Sequence, residues 1–132
     1  MLNATGFFTT TLAEAEQAIA TRAQLGWRIF QLPASISSRE DFFEAARRTF
    51  PLDPPLRTDR SWDALADSLW AGLDSLPETK IVILWPRASG MREHAPEDFN
   101  IATSIFQELP DSLANAEMTA GNIKELLVLR VI

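Results

Sequence analysis

Apolar positions recur at helical spacing in four stretches of the chain and run together in three others. Leu12, Ala15, Ile19 and Ala23 fall on one face of a helix predicted over residues 11–25. Thr11 followed by Glu14 has the form of a capping box, and Gly26 suits the stop. Trp27–Leu32 reads as a short strand ended by Pro33. A second helix spans 39–50. Ser38 can cap it, Glu40 and Asp41 suit its positive end, and Phe42, Phe43, Ala46 and Phe50 give a buried face. The prolines of Pro51–Ser61 make a stiff loop. Trp62, Leu65, Ala66, Leu69 and Leu73 then mark a third helix, from Trp62 to Leu73.

Lys80–Trp85 (KIVILW) is an almost unbroken apolar run rich in β-branched residues, as expected of a strand buried on both faces. Residues 86–95 read as a polar loop. Pro96 opens a helix reaching about Leu109, with Phe99, Ala102, Ile105 and Phe106 inward. Signals are weak from Pro110 to Asn122, and Leu126–Ile132 is a last buried strand. Strands separated by helices imply parallel pairing through right-handed crossovers. The expectation is an α/β domain with a small three-stranded parallel sheet packed by helices, preceded by an extra N-terminal helix. No internal repeat or low-complexity tract interrupts it.

Composition narrows the chemistry. At 132 residues and 46% hydrophobic, the chain is long enough for one core and too short for two ordinary domains. With no Cys, disulfides, Cys-ligated zinc and thiol catalysis are excluded, and one His excludes a site built from several imidazoles. The net charge of −6 opposes direct nucleic-acid binding and favours a basic partner. The first twenty residues hold no Lys, no Arg and no long apolar block. They predict a cytoplasmic chain with no targeting segment and no membrane association.

No phosphate-binding glycine loop, nucleophile elbow or metal motif occurs, so neither a cofactor nor a metal is expected. His94 lies close to Glu97 and Asp98, an arrangement that a small hydrolase could use as an acid–base couple. The plainer reading is an exposed loop His beside acids placed by a helix dipole. The third helix is more informative. Asp63, Asp67 and Trp70 follow i, i+4, i+7 on a stripe beside the buried face, extended by Asp59 and Asp74. Like charges at i, i+4 cost roughly 0.2–0.5 kcal/mol, so a role outside folding is indicated. The dipole accounts for Asp63 as readily as function does. Asp67 lies a turn beyond that benefit. Packing at the core edge accounts for Trp70.

With these residues in view, the sequence resembles the barstar family of ribonuclease inhibitors. SWDALADSLWAG (Ser61–Gly72) is similar to the family's second-helix motif, and ISSREDFFEAARRTF (Ile36–Phe50) to its first helix. KIVILW is similar to the middle strand, and FNIATSIFQEL (Phe99–Leu109) to the later helix. The resemblance covers about Trp27 to Ile132, dividing the chain into an N-terminal helical extension, 1–26, and a barstar-like domain, 27–132. It implies a non-enzymatic inhibitor or immunity protein whose acidic helix and preceding loop block a basic ribonuclease or nuclease toxin. Asp67 matches the family's dominant carboxylate and Asp63 a second one. Ala66 stands where the family has an aromatic between these aspartates. Arg57 lies where the best-known member has a contacting Tyr, and Asn100 where a glutamate contact is expected. Asp59, Arg57, Ala66 and Trp70 therefore join Asp63 and Asp67 as expected partner-binding residues. The alternative keeps the fold and changes the job, to a module for a non-ribonuclease basic partner. In either case the first helix could make a homodimer.

Overall fold

The computed structural model describes residues 5–132. In chain order the elements are β1 (Gly6–Thr10), α1 (Leu12–Gln24), β2 (Arg28–Gln31), α2 (Arg39–Thr49), α3 (Trp62–Asp74), β3 (Lys80–Trp85), α4 (Ser89–His94), α5 (Pro96–Leu113) and β4 (Glu125–Val131). The expected helices begin where their caps predict. Thr11 Oγ1 accepts from the Glu14 N–H while the Glu14 carboxylate accepts from the Thr11 N–H. The side chains of Ser38 and Ser61 cap α2 and α3.

The sheet has four strands in the order β1-β4-β3-β2, all parallel, and not the expected three. The fourth strand lies in the segment expected to be only helical. Gly6–Thr10 (GFFTT) is too short for two-residue periodicity to stand out, and as an edge strand it carries only half-buried aromatics. Tertiary contacts place it. Phe7 faces Val128 and Phe8 faces Leu129 in the ladder with β4. Arg130 of β4 then clamps it to α5. Its Nη2 donates to Thr9 Oγ1 at 3.0 Å and its Nη1 to Thr103 Oγ1 at 2.9 Å. The guanidinium lies 5.2 Å from the Phe7 ring centroid and 5.0 Å from that of Phe99.

Connections between parallel neighbours are right-handed, so direction of travel selects a face. The chain moves β2–β3–β4 one way with α2, α3, α4 and α5 on one face. It moves β1–β2 the other way with α1 on the opposite face. Strand alternation supplies two apolar surfaces. Phe30, Ile81, Ile83, Trp85, Leu126 and Val128 face the larger helical layer. Val82, Leu84, Leu127, Leu129 and Val131 face Ala15 and Ala18 of α1.

Two other expectations are corrected. The stretch 86–95 contains the short helix α4, held by the fully buried Met91, a single apolar anchor that shows no periodicity. Helix α5 passes through Pro110 to Leu113 instead of ending at Leu109. A proline inside a helix costs about 3 kcal/mol, and here burial of Leu109 and Leu113 outweighs it.

Candidate functional site

Helix α3 is locked on one side. Trp62, Leu65, Leu69 and Leu73 are buried, and the Trp62 ring packs against Phe43 at 4.8 Å and Phe42 at 5.5 Å between centroids. Trp62 Nε1 donates to Asp98 Oδ1 on α5 at 3.1 Å, which fixes the rotation of α3 relative to α5. Asp63 and Asp67 are consequently exposed on the outer side of the same helix, and Ala66 and Trp70 are half-buried beside them. Among the described residues neither aspartate forms an ion pair.

The preceding loop, residues 51–61, is held against α2 and α3. The Asp53 N–H donates to the Ser68 carbonyl at 3.0 Å. A Cβ at Gly72 would collide with the Pro51 carbonyl oxygen, so only glycine lets the loop approach α3 this closely. Asp59 is drawn into this scaffold. Its carboxylate accepts from Arg47 Nη1 at 2.7 Å, and its carbonyl from Arg39 Nε at 2.6 Å. The Asp59 bond raises the Arg47 pKa, with burial opposing it. Asp59 is thus partly neutralised from within, while Arg57 remains exposed on the loop.

Between α3 and α5 lies a groove of about 380 Å³. Ala66, Asp67 and Trp70 form one wall, and Ile105, Glu108 and Leu109 the other. Ser112 and Met118 complete the lining. Glu108 is exposed and lacks an ion pair among the described residues. Sequence reasoning missed Glu108 as a site residue. The usable signal was the 105, 108, 112 stripe, which ending the helix at Leu109 cut short. Asn100 is exposed in the second turn of α5, about two helical turns from Glu108, and does not line the groove.

The His94 arrangement has a structural account. Its Nδ1 hydrogen-bonds the Gly90 carbonyl within α4 at 2.8 Å, and Asp98 is engaged by the Trp62 indole. Among the described residues no group of three or more His, Cys, Asp or Glu is placed to hold a metal ion. No helix among them is long and apolar enough to cross a membrane.

The structure is thus a parallel α/β domain that presents carboxylates from a helix and from the loop that precedes it. Family comparison is specific: the model described as barstar (barnase inhibitor) matches residues 27–122, and the chain belongs to the barstar family. The family consists of inhibitors of a ribonuclease and not of enzymes. Comparison with curated proteins and with solved structures gives no match.

Proposed function

We propose that this protein is a non-enzymatic inhibitor of a basic ribonuclease, acting in the cytoplasm to protect the producing cell. The observation that carries this reading is the placement of Asp67. It is exposed, and without an ion pair among the described residues, on a helix whose opposite side is packed into the core. A ribonuclease site holds phosphate with cationic side chains, and a fixed carboxylate satisfies them without being cleaved. Fixing the acid on a rigid helix also removes an ordering cost on binding. Asp63 and Glu108 flank it as further acids, so Glu108 takes the place on the later helix that the resemblance gave to Asn100. Asp59 acts mainly by holding the loop. Arg57 and Ala66, standing where the resemblance expects aromatics, favour a second reading in which the same acidic face binds a basic partner of another kind.

RNA cleavage by a panel of small basic ribonucleases, measured with and without the purified chain, tests the proposal. Stoichiometric inhibition of a panel member is expected. Asp67→Ala should weaken it by about 2–5 kcal/mol, the usual cost of truncating one partner of a buried, hydrogen-bonded charge pair at an interface. Folding stability should change by no more than roughly 0.5 kcal/mol, because an Asp63–Asp67 repulsion is relieved. Inhibition that survives Asp67→Ala unchanged overturns the assignment. Inhibition of no ribonuclease, with Asp67-dependent binding to another basic protein, selects the second reading.

A further inference from the structure

The groove beside Asp67 adds to a flat acidic face a concavity for something to enter. We infer that it receives an aromatic side chain carried next to a cation on the basic protein partner. The inference rests on the proposed inhibitory role and specifies the chemistry of the partner's contacting surface.

Four features of the groove select this occupant. Its volume, about 380 Å³, lies within the range of about 300–1,000 Å³ typical of sites that enclose a small organic group. It is open at Ala66, a small residue between Asp63 and Asp67 in sequence, where the resemblance expects an aromatic. The ring absent from this chain leaves space for one supplied by the partner. The inner surface is apolar, formed by the buried Leu109 and the half-buried Ala66, Ile105 and Trp70. A bare guanidinium or ammonium on that floor would lose its hydration without a counter-charge. The two charged lining residues, Asp67 and Glu108, are exposed, where they can meet a cation beside the ring while the ring fills the interior.

This is an interlocking fit in which the aromatic projection lies on the partner. It makes Ala66 a specificity determinant. A partner suited to a protruding aromatic at this position would leave the groove empty, and a projecting ring would clash with a filled one.

Benzamidine, a ring bearing a cation, serves as a probe for the whole chain. The expected result is saturable millimolar binding that shifts the NMR methyl resonances of Ala66 and Ile105. Guanidinium alone and benzyl alcohol alone should each bind at least roughly tenfold more weakly, since each lacks one of the two contacts. Ala66→Trp should fill the groove and weaken benzamidine binding by roughly tenfold or more. Ser112→Phe, which fills it from α5, should do the same and serves if Ala66→Trp does not fold. Asp67→Asn should weaken benzamidine binding and leave benzyl alcohol binding unchanged. The absence of saturable binding to the wild-type chain overturns the inference. So does full benzamidine affinity in a folded, groove-filled variant. Neither result bears on whether Asp67 is needed for ribonuclease inhibition, so failure here is distinct from failure of the inhibitor reading.

Discussion

One face of the sheet is covered by helices rich in buried rings, and the other by a single helix whose buried residues are alanines. On the first, Phe42, Phe106, Trp85 and Phe99 form a connected series with centroid separations from 5.5 to 5.9 Å, and Trp62 joins α3 to it through Phe42. Such large, directional contacts leave few ways to seat the helices above them. On the second, Ala15 and Ala18 let a single helix lie close over Val82, Leu84, Leu127 and Leu129. The difference shows how labour is divided. The aromatic layer fixes the angle from which α3 displays Asp63 and Asp67. The alanine layer closes the sheet and carries no part of the acidic face.

The most severe way to break this comparison is to remove the thin side. Deleting residues 1–24 takes away β1 and α1 and exposes Val82, Leu84, Leu127, Leu129 and Val131, all now buried. Each aliphatic side chain is worth about 1.5–3 kcal/mol when fully buried. Even partial loss across five residues rivals the whole stability of a small domain, about 5–15 kcal/mol. The truncated chain should show no cooperative thermal transition and should bind a hydrophobic dye. The family match begins at residue 27, but it also stops at 122, short of the central strand β4. Its C-terminal limit therefore does not mark the end of the folding unit. Cooperative unfolding near the full-length midpoint would establish that residues 27–132 fold alone and that α1 is an accessory.

A smaller perturbation tests the thick side where it meets the candidate site. Gly72→Ala places a methyl group against the Pro51 carbonyl, and relief requires the loop or α3 to move. Overpacking of this kind costs about 1–3 kcal/mol. Thermal unfolding should report that loss. Ribonuclease inhibition should weaken as well, because Asp59 and Arg57 move with the loop. Unchanged stability would mean that the loop is not braced against α3, and the rigidity ascribed to the acidic face would lose one of its supports.

The two faces were not equally legible in the sequence. Ile81–Trp85 (IVILW) declared β3 because a strand buried on both faces is apolar at successive positions, and the register of α3 followed from Trp62, Leu65, Leu69 and Leu73. The acidic stripe was visible for the same reason: once the buried positions of a helix are known, the outward ones are fixed by geometry. β1 was hidden because its pairing with β4 and its Arg130 clamp join residues more than a hundred positions apart, and no local pattern encodes that. The groove was hidden because it belongs to two helices, and Pro110 suggested that the second ended early. Sequence periodicity reports what one element does with its own sides. It does not report what two elements enclose.

The mildest test compares the caps that start the two helical layers. The Glu14 carboxylate of α1 has its pKa lowered chiefly by the backbone N–H of Thr11, and then by the Thr11 hydroxyl. The Asp41 carboxylate of α2 is lowered in the same way by the backbone N–H and then the hydroxyl of Ser37. A carboxylate whose pKa is lower in the folded state stabilises that state above its unfolded pKa, about 4. The contribution is lost as pH falls through the folded value. Both caps are solvent-exposed, so each effect on global stability is small. They should differ in where the loss is felt. α1 covers its face of the sheet alone, so acid should fray α1 amides before it affects α2, whose Phe42 and Phe43 remain packed among rings. Hydrogen exchange from about pH 6 to about pH 3, corrected for intrinsic rates, should show earlier loss of protection in α1. Glu14→Gln should reduce the pH dependence in α1, and Asp41→Asn should leave α1 unchanged. Equal acid sensitivity of both helices would mean that the alanine layer is held as firmly as the aromatic one, and the contrast between the faces would be one of composition without one of stability.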